Sequence, residues 1–255
     1  MPLTITRFAP ENLSSAEVTK SLTSDSQSAS YKLEYFDLMG VGAHIRDMLS
    51  FGSAQWENLP LTVHLNWPAE VKAPLGVFPV LHIKTADGQE IRLSELVVIE
   101  HYLAKQFGLL GENEWEELLI KTFNSSSVYL RERLTLRVTW CYKEVQEKAL
   151  ETFFEKELPR WIETHTKHLK DNGSNGHYVG NKLSLADLQT ANVIDHLKFL
   201  HKGDEMVDKI KQGSPEIWKV KEAVDSEPRL QTWRQSETYK KHASLSQVVY
   251  AHASI

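Results

Sequence analysis

Cysteine is almost absent: Cys141 is the single one in 255 residues. That excludes an intramolecular disulfide and any cysteine-rich metal site, and a reducing compartment suits such a chain. No apolar run approaches the roughly 18 residues that a membrane span needs, and the N-terminus lacks the apolar core of a secretory signal. Arg7 is the only arginine among the first thirty residues, where Glu11, Glu17 and Asp25 add negative charge, which disfavours a mitochondrial address. The net charge of -5 makes nucleic acid a poor partner. Histidines are scattered, and His82, His101 and His196 stand in no spacing such as HExxH, so no metal is expected. What remains is 41% hydrophobic and 25% charged, the balance of a soluble globular protein, expected in the cytoplasm. A chain this long buries a sizeable core without staples.

Residues 1–30 are rich in Ser and Thr and read as an extension outside the main fold. The run Tyr31 to Phe36 alternates like a strand, and Gly40 to Phe51 reads as a helix with Ile45, Met48 and Leu49 on one face. Leu61 to Leu65 is expected as a second strand and Phe78 to Lys84 as a third. Asp87-Gly88 turns the chain into a hairpin with Gln89 to Leu93. Ser94 is placed to cap a helix running to about Phe107. A helix between strands implies parallel pairing and the hairpin is antiparallel, so a small mixed sheet is expected over residues 31–110.

From residue 111 to 255 the character is helical. Between Glu114 and Leu169 there is no glycine, and Pro159 is the only proline. Asp171 to Gly180 is a loop, and Ser184-Leu185-Ala186-Asp187 is a capping box, in which a hydroxyl and a carboxylate satisfy the first N–H groups of a helix. Pro215 and Pro228 mark two later helix starts.

Several segments in this order resemble the cytosolic glutathione transferases, most closely their tyrosine-type, sigma-like branch. They are YKLEYFDLMGVGAHIRDML, Leu65-Asn66-Trp67-Pro68 with Lys72, Val77-Phe78-Pro79-Val80-Leu81, ELVVIEHYLAKQFGLLGENEWE, Ser184 to Asp187, and Pro228 to Trp233. The resemblance runs from about Tyr31 to His242. It implies a thioredoxin-like N-terminal domain, an all-helical C-terminal domain, glutathione as co-substrate and a homodimer. Tyr35 then becomes the hydroxyl that stabilises the glutathione thiolate; read alone, it is a core tyrosine at a strand end. Residues 35–43 contain no Ser or Cys to act in its place. Pro79 would follow a cis bond, with Phe78 offering its backbone to the cysteinyl part. Trp67 and Lys72 would hold the glycyl end, and Ser94 and Glu95 the γ-glutamyl end.

Two departures bear on that last contact. The family's Ser after the acidic residue is Leu96 here, and its arginine-rich turn reads Met39-Gly40-Val41-Gly42. The acceptor, an apolar electrophile, would meet Met39, Val41, Tyr129, Arg133 and Trp140. The lost polar contacts keep two other functions open: a glutathione-independent isomerase, dehydratase or cyclase, and a non-catalytic binding module.

Overall fold

The computed structural model describes residues 3–23, 28–61, 71–251 and 253. They divide into two compact units, Met1–Phe107 and Gly108–Ile255. The N-terminal segment is not outside the fold, as its composition suggests. Strand β1 (Leu3–Ile5) pairs in parallel with a short strand at Val71–Ala73, and the Arg92 N–H donates to the Phe8 carbonyl at 2.7 Å. Helix α1 (Ser15–Thr23) starts at its own capping box, with Ser14 N–H donating to Glu17 and Glu17 N–H to the Ser14 hydroxyl. Its buried Ser21 donates to Asp87 at 2.7 Å.

Strand β2 (Ser30–Phe36) is the axis of the first unit. Its two-residue period buries Tyr31, Leu33 and Tyr35 on one face and leaves Lys32 exposed on the other. It pairs in parallel with β3 (Gln55–Leu61), reached through helix α2 (Gly42–Phe51). Strand β4 is the Val71–Ala73 partner of β1. On its other side β2 pairs antiparallel with β5 (Val80–Lys84), and β5 with β6 (Glu90–Ser94), giving the order β3-β2-β5-β6. The second strand thus lies earlier than the expected 61–65, of which residues 62–65 fall outside the described residues. Its polar composition and Pro60 suit an edge strand.

Helix α3 (Leu96–Gln106) closes the first unit against α2. Ile45, Met48, Leu49, Ile99 and Leu103 are fully buried, and so is the His44–Glu100 pair between the two helices, at 2.7 Å. Ser94 does not cap α3: the N-cap is Glu95, whose side chain makes no cap hydrogen bond.

The second unit comprises α4 (Glu114–Leu134), α5 (Lys143–Thr152), α6 (Leu158–Asp171), α7 (Leu185–Leu197), α8 (Gly203–Gly213), α9 (Pro215–Asp225), α10 (Pro228–Arg234) and α11 (Glu237–Ala251). Two π turns, Thr135–Thr139 and Phe153–Glu157, lie between α4 and α6. Cys141 is half-buried, its Sγ against the Val138 carbonyl. Helix α7 is buried on nearly every face and packs against α4 and α9. Its capping box forms as expected, and Asp187 accepts from the Ser184 N–H and hydroxyl and from the Tyr178 N–H, at 2.7, 2.6 and 2.8 Å. Leaving such buried donors without an acceptor would cost about 1–3 kcal/mol each.

A buried polar chain runs beside it. The Ser126 hydroxyl bonds to His165 Nε2 at 2.9 Å, His165 Nδ1 to the Tyr178 hydroxyl at 2.5 Å, and Thr190 donates to the same hydroxyl at 3.2 Å. Burial holds the imidazoles of His165 and His196 down at about 3. Unfolding frees them to take up protons below pH 6.5, so the stability they contribute is complete above that pH and is lost as the pH falls toward 3. Asp187 runs the other way: burial lifts it to about 7, so its contribution is complete below 3.8 and is lost as the pH rises through 7. Between pH 6 and 4, His165→Gln is expected to lower the pH slope of the unfolding free energy by about 1.4 kcal/mol per unit. Urea denaturation measures it; an unchanged slope would mean that His165 is already protonated in the folded chain.

Candidate functional site

The strand registers bring three predicted residues to one end of the sheet. Glu34 lies opposite Val80, and Val80 opposite Ser94. One step further along each strand stand Tyr35, Pro79 and Glu95. The Phe78–Pro79 bond is cis, as the resemblance implies. The rings of Phe36 and Phe78 meet edge to face at 6.1 Å, which ties the end of β2 to the residue before the proline.

Tyr35 is buried, and its ring lies over the turn that opens α2. The Val41 N–H donates to the Tyr35 hydroxyl at 3.3 Å. Only glycine fits beneath the ring: a Cβ at Gly40, where φ is +44°, would sit 2.5 Å from the hydroxyl oxygen, and one at Gly42 would overlap the ring itself. Met39 and Val41 therefore belong to the same turn as Tyr35, with Met39 buried and Val41 half-buried.

Arg46 is a residue that reading the sequence missed. It is 1% exposed, and its guanidinium donates to the carbonyls of Phe36 and Leu38 and to Asn58 Oδ1, at 3.0, 2.8 and 2.8 Å. It lies 5.7 Å from the Tyr35 ring centre and so braces the chain just after the tyrosine. Burial lowers it to about 10, which leaves it charged at neutral pH. The signal was available: His44, Arg46 and Asp47 interrupt the apolar face of a helix short enough to be enclosed, and enclosed polar groups need partners.

At the start of α3, Glu95 holds φ +72°, ψ 122° and its side chain is exposed. In this conformation the Glu95 side chain caps none of the first N–H groups of the helix. The Ser94 hydroxyl is buried and has no hydrogen-bond partner among the described residues. An acid group is the natural complement of such a helix end. Lys72 is exposed on β4, which pairs with β1 rather than with the four-stranded sheet, so no strand register ties it to Tyr35. Trp67 lies outside the described residues.

In the helical unit Tyr129 and Arg133 come together: the guanidinium lies 4.7 Å from the ring centre and pairs with Glu157 at 3.2 Å. Both line a cavity that Trp140 does not line; the indole of Trp140 instead lies 6.2 Å from the Tyr250 ring.

Gly42→Ala is expected to destabilise the chain by about 1–3 kcal/mol, because the Tyr35 ring has to leave its seat. A urea midpoint equal to that of the parent would show that the turn yields without cost.

Known proteins are similar to this chain in sequence and in fold. Residues 134–237 fit the family model described as glutathione S-transferase, C-terminal domain. A glutathione S-transferase of Anopheles gambiae is 31% identical over 173 residues, which cover 68% of this chain and 81% of that one. Glutathione S-transferase S1 of Drosophila melanogaster is 27% identical over 205 residues, covering 80% and 77%. The solved structure of a Nu-class GST from Haemonchus contortus, 29% identical, superposes with a TM-score of 0.63 over 82% of this chain and 97% of that one. The fold is accordingly a thioredoxin-like unit followed by the helical unit of that family, and the chain belongs to the glutathione S-transferases.

Proposed function

We propose that this glutathione transferase uses Tyr35 to stabilise the thiolate of glutathione for attack on an apolar electrophile. The observation that carries the reading is the row of Tyr35, cis Pro79 and Glu95 at one sheet end, set by two strand registers. Glutathione supplies a sulfur nucleophile, and a thiol of ordinary pKa, about 8.5, is mostly protonated at neutral pH. A hydrogen bond to the anion favours it. The Tyr35 hydroxyl accepts from the Val41 N–H, which polarises it toward donating its own proton. Arg46 keeps the turn carrying that N–H in place through two backbone carbonyls.

Phe78, before the cis bond, offers backbone groups to the cysteinyl part. Lys72 and Trp67 take the glycyl carboxylate. At the γ-glutamyl end the start of α3 and the Ser94 hydroxyl supply donors where Leu96 has none. Glu95 is left to meet the ammonium. The electrophile lies against Met39 and Val41 in the turn beside Tyr35. By the same family reading the working unit is a cytoplasmic homodimer, which sedimentation equilibrium tests: a monomer at tens of micromolar would remove that part.

Calorimetric titration of reduced glutathione should give a Kd in the micromolar to low-millimolar range. Tyr35→Phe should keep that affinity and lower the conjugation rate by about tenfold or more. Binding with an unchanged rate takes Tyr35 out of the role. No binding by the parent at several millimolar favours the glutathione-independent alternative, for which Leu96 and the Met39–Val41 turn are the supporting residues.

A further inference from the structure

Tyr35, Pro79 and Glu95 are aligned by the registers of the four-stranded sheet, whereas Lys72 lies on β4, outside that sheet. What holds β4 is β1: Leu3, Thr4 and Ile5 stand opposite Val71, Lys72 and Ala73. The Thr6 N–H prolongs the pairing by donating to the Ala73 carbonyl at 3.3 Å. That carbonyl also accepts from the Gly76 N–H at 3.2 Å, closing the turn that leads into the cis Phe78–Pro79 bond.

The same segment is anchored to β6. The Phe8 carbonyl accepts from the Arg92 N–H at 2.7 Å, and Arg92 stands two residues before Ser94. Thr4, opposite Lys72, and Phe8 are four residues apart, so even a fully extended chain spans at most about 14 Å between them. Further on, α1 hooks onto the β5–β6 hairpin. The buried Ser21 hydroxyl donates to one oxygen of Asp87 at 2.7 Å, and Thr85 donates to the other at 2.5 Å. Ordering such a segment costs conformational entropy at every residue. Ile5 and Phe8 are exposed, so the segment does not owe its place to completing an apolar core there. Its backbone bonds instead join the strand that carries Lys72 to the strand that ends at Ser94.

We propose that residues 3–23 are a strap that positions Lys72, with Thr6 and Ser21 as positioning residues for the glycyl end of glutathione. The proposal rests on the reading of Lys72 as the partner of the glycyl carboxylate. Strand β4 is three residues long, and β1 is the only strand beside it among the described residues. Without β1, no strand pairing fixes Lys72. With the strap in place, the glycyl subsite is held relative to β6 and so to the start of α3. A tripeptide that reaches Lys72 is then preferred over a dipeptide whose carboxylate stops short of it. Selection for the full length of glutathione is in this way a property of the N-terminal segment.

The test is calorimetric titration of reduced glutathione and of γ-glutamylcysteine into the full chain. The parent should bind glutathione at least about tenfold more tightly than the dipeptide, and Lys72→Met should remove that preference. Thr6→Pro takes away the N–H that bonds Ala73, and Ser21→Ala the hydroxyl that bonds Asp87. Together they should weaken glutathione by about threefold to tenfold and leave γ-glutamylcysteine unchanged. Ser21→Ala alone, a milder lesion, should show the same change in smaller measure. Thr6→Ala and Ser21→Thr keep the bonding groups and should bind as the parent does. Loss of the preference in Lys72→Met but not in the Thr6→Pro, Ser21→Ala double variant overturns the strap alone, and so does a double variant that weakens both ligands equally. A preference that survives Lys72→Met, or a parent that binds neither ligand, overturns the glycyl reading and the strap with it.

Discussion

Strand β2 is hydrogen-bonded on both sides, in parallel to β3 and antiparallel to β5, and this double pairing is the constraint on which the first unit depends. A strand held on both edges cannot slip by one residue without turning Tyr31, Leu33 and Tyr35 from the buried face to the exposed one. The same register decides that Tyr35 ends level with Pro79. The next pairing, β5 with β6, carries the alignment on to Glu95. A row of residues assembled from three strands inherits its alignment from the sheet.

Around that row the supporting groups are polar and buried. Arg46 bonds the carbonyls that follow Tyr35, and His44 with Glu100 joins α2 to α3. Each has a cost of desolvation that only close partners offset. The helical unit uses the same device in Asp187, which gathers donors from the loop before α7 and from its cap. Both units thus spend buried polar groups on fixing the geometry of one helix start or one turn, while aliphatic residues such as Ile45, Met48, Leu185 and Leu188 fill the space between elements.

The N-terminal segment illustrates how composition misleads. Its Ser and Thr content reads as a tail, yet Ser14-Ser15-Ala16-Glu17 is a capping box that announces α1. The contacts that hold it, Phe8 with Arg92 and Ser21 with Asp87, join residues more than sixty apart. They also cover part of the free edge of β6, which an unpaired strand would otherwise leave open to other chains. Strand β3 was hidden for a related reason: an edge strand with Pro60 and several polar residues lacks the alternation that marked β2.

Local pattern determined the strand at Tyr31–Phe36, the hairpin at Asp87-Gly88, the helical second half and the capping box at Ser184, because each rests on residues within a few positions of one another. Tyr35, Phe78, Pro79 and Glu95 were legible as candidates from the order of motifs. Their alignment at one sheet end was decided only by the tertiary structure, since register is a relation between distant strands. The same holds for Arg46, whose role comes from carbonyls eight and ten residues back and from Asn58. It holds also for the separation of Trp140 from Tyr129 and Arg133. A sequence lists donors and acceptors; which of them remain without a partner depends on how the helices pack.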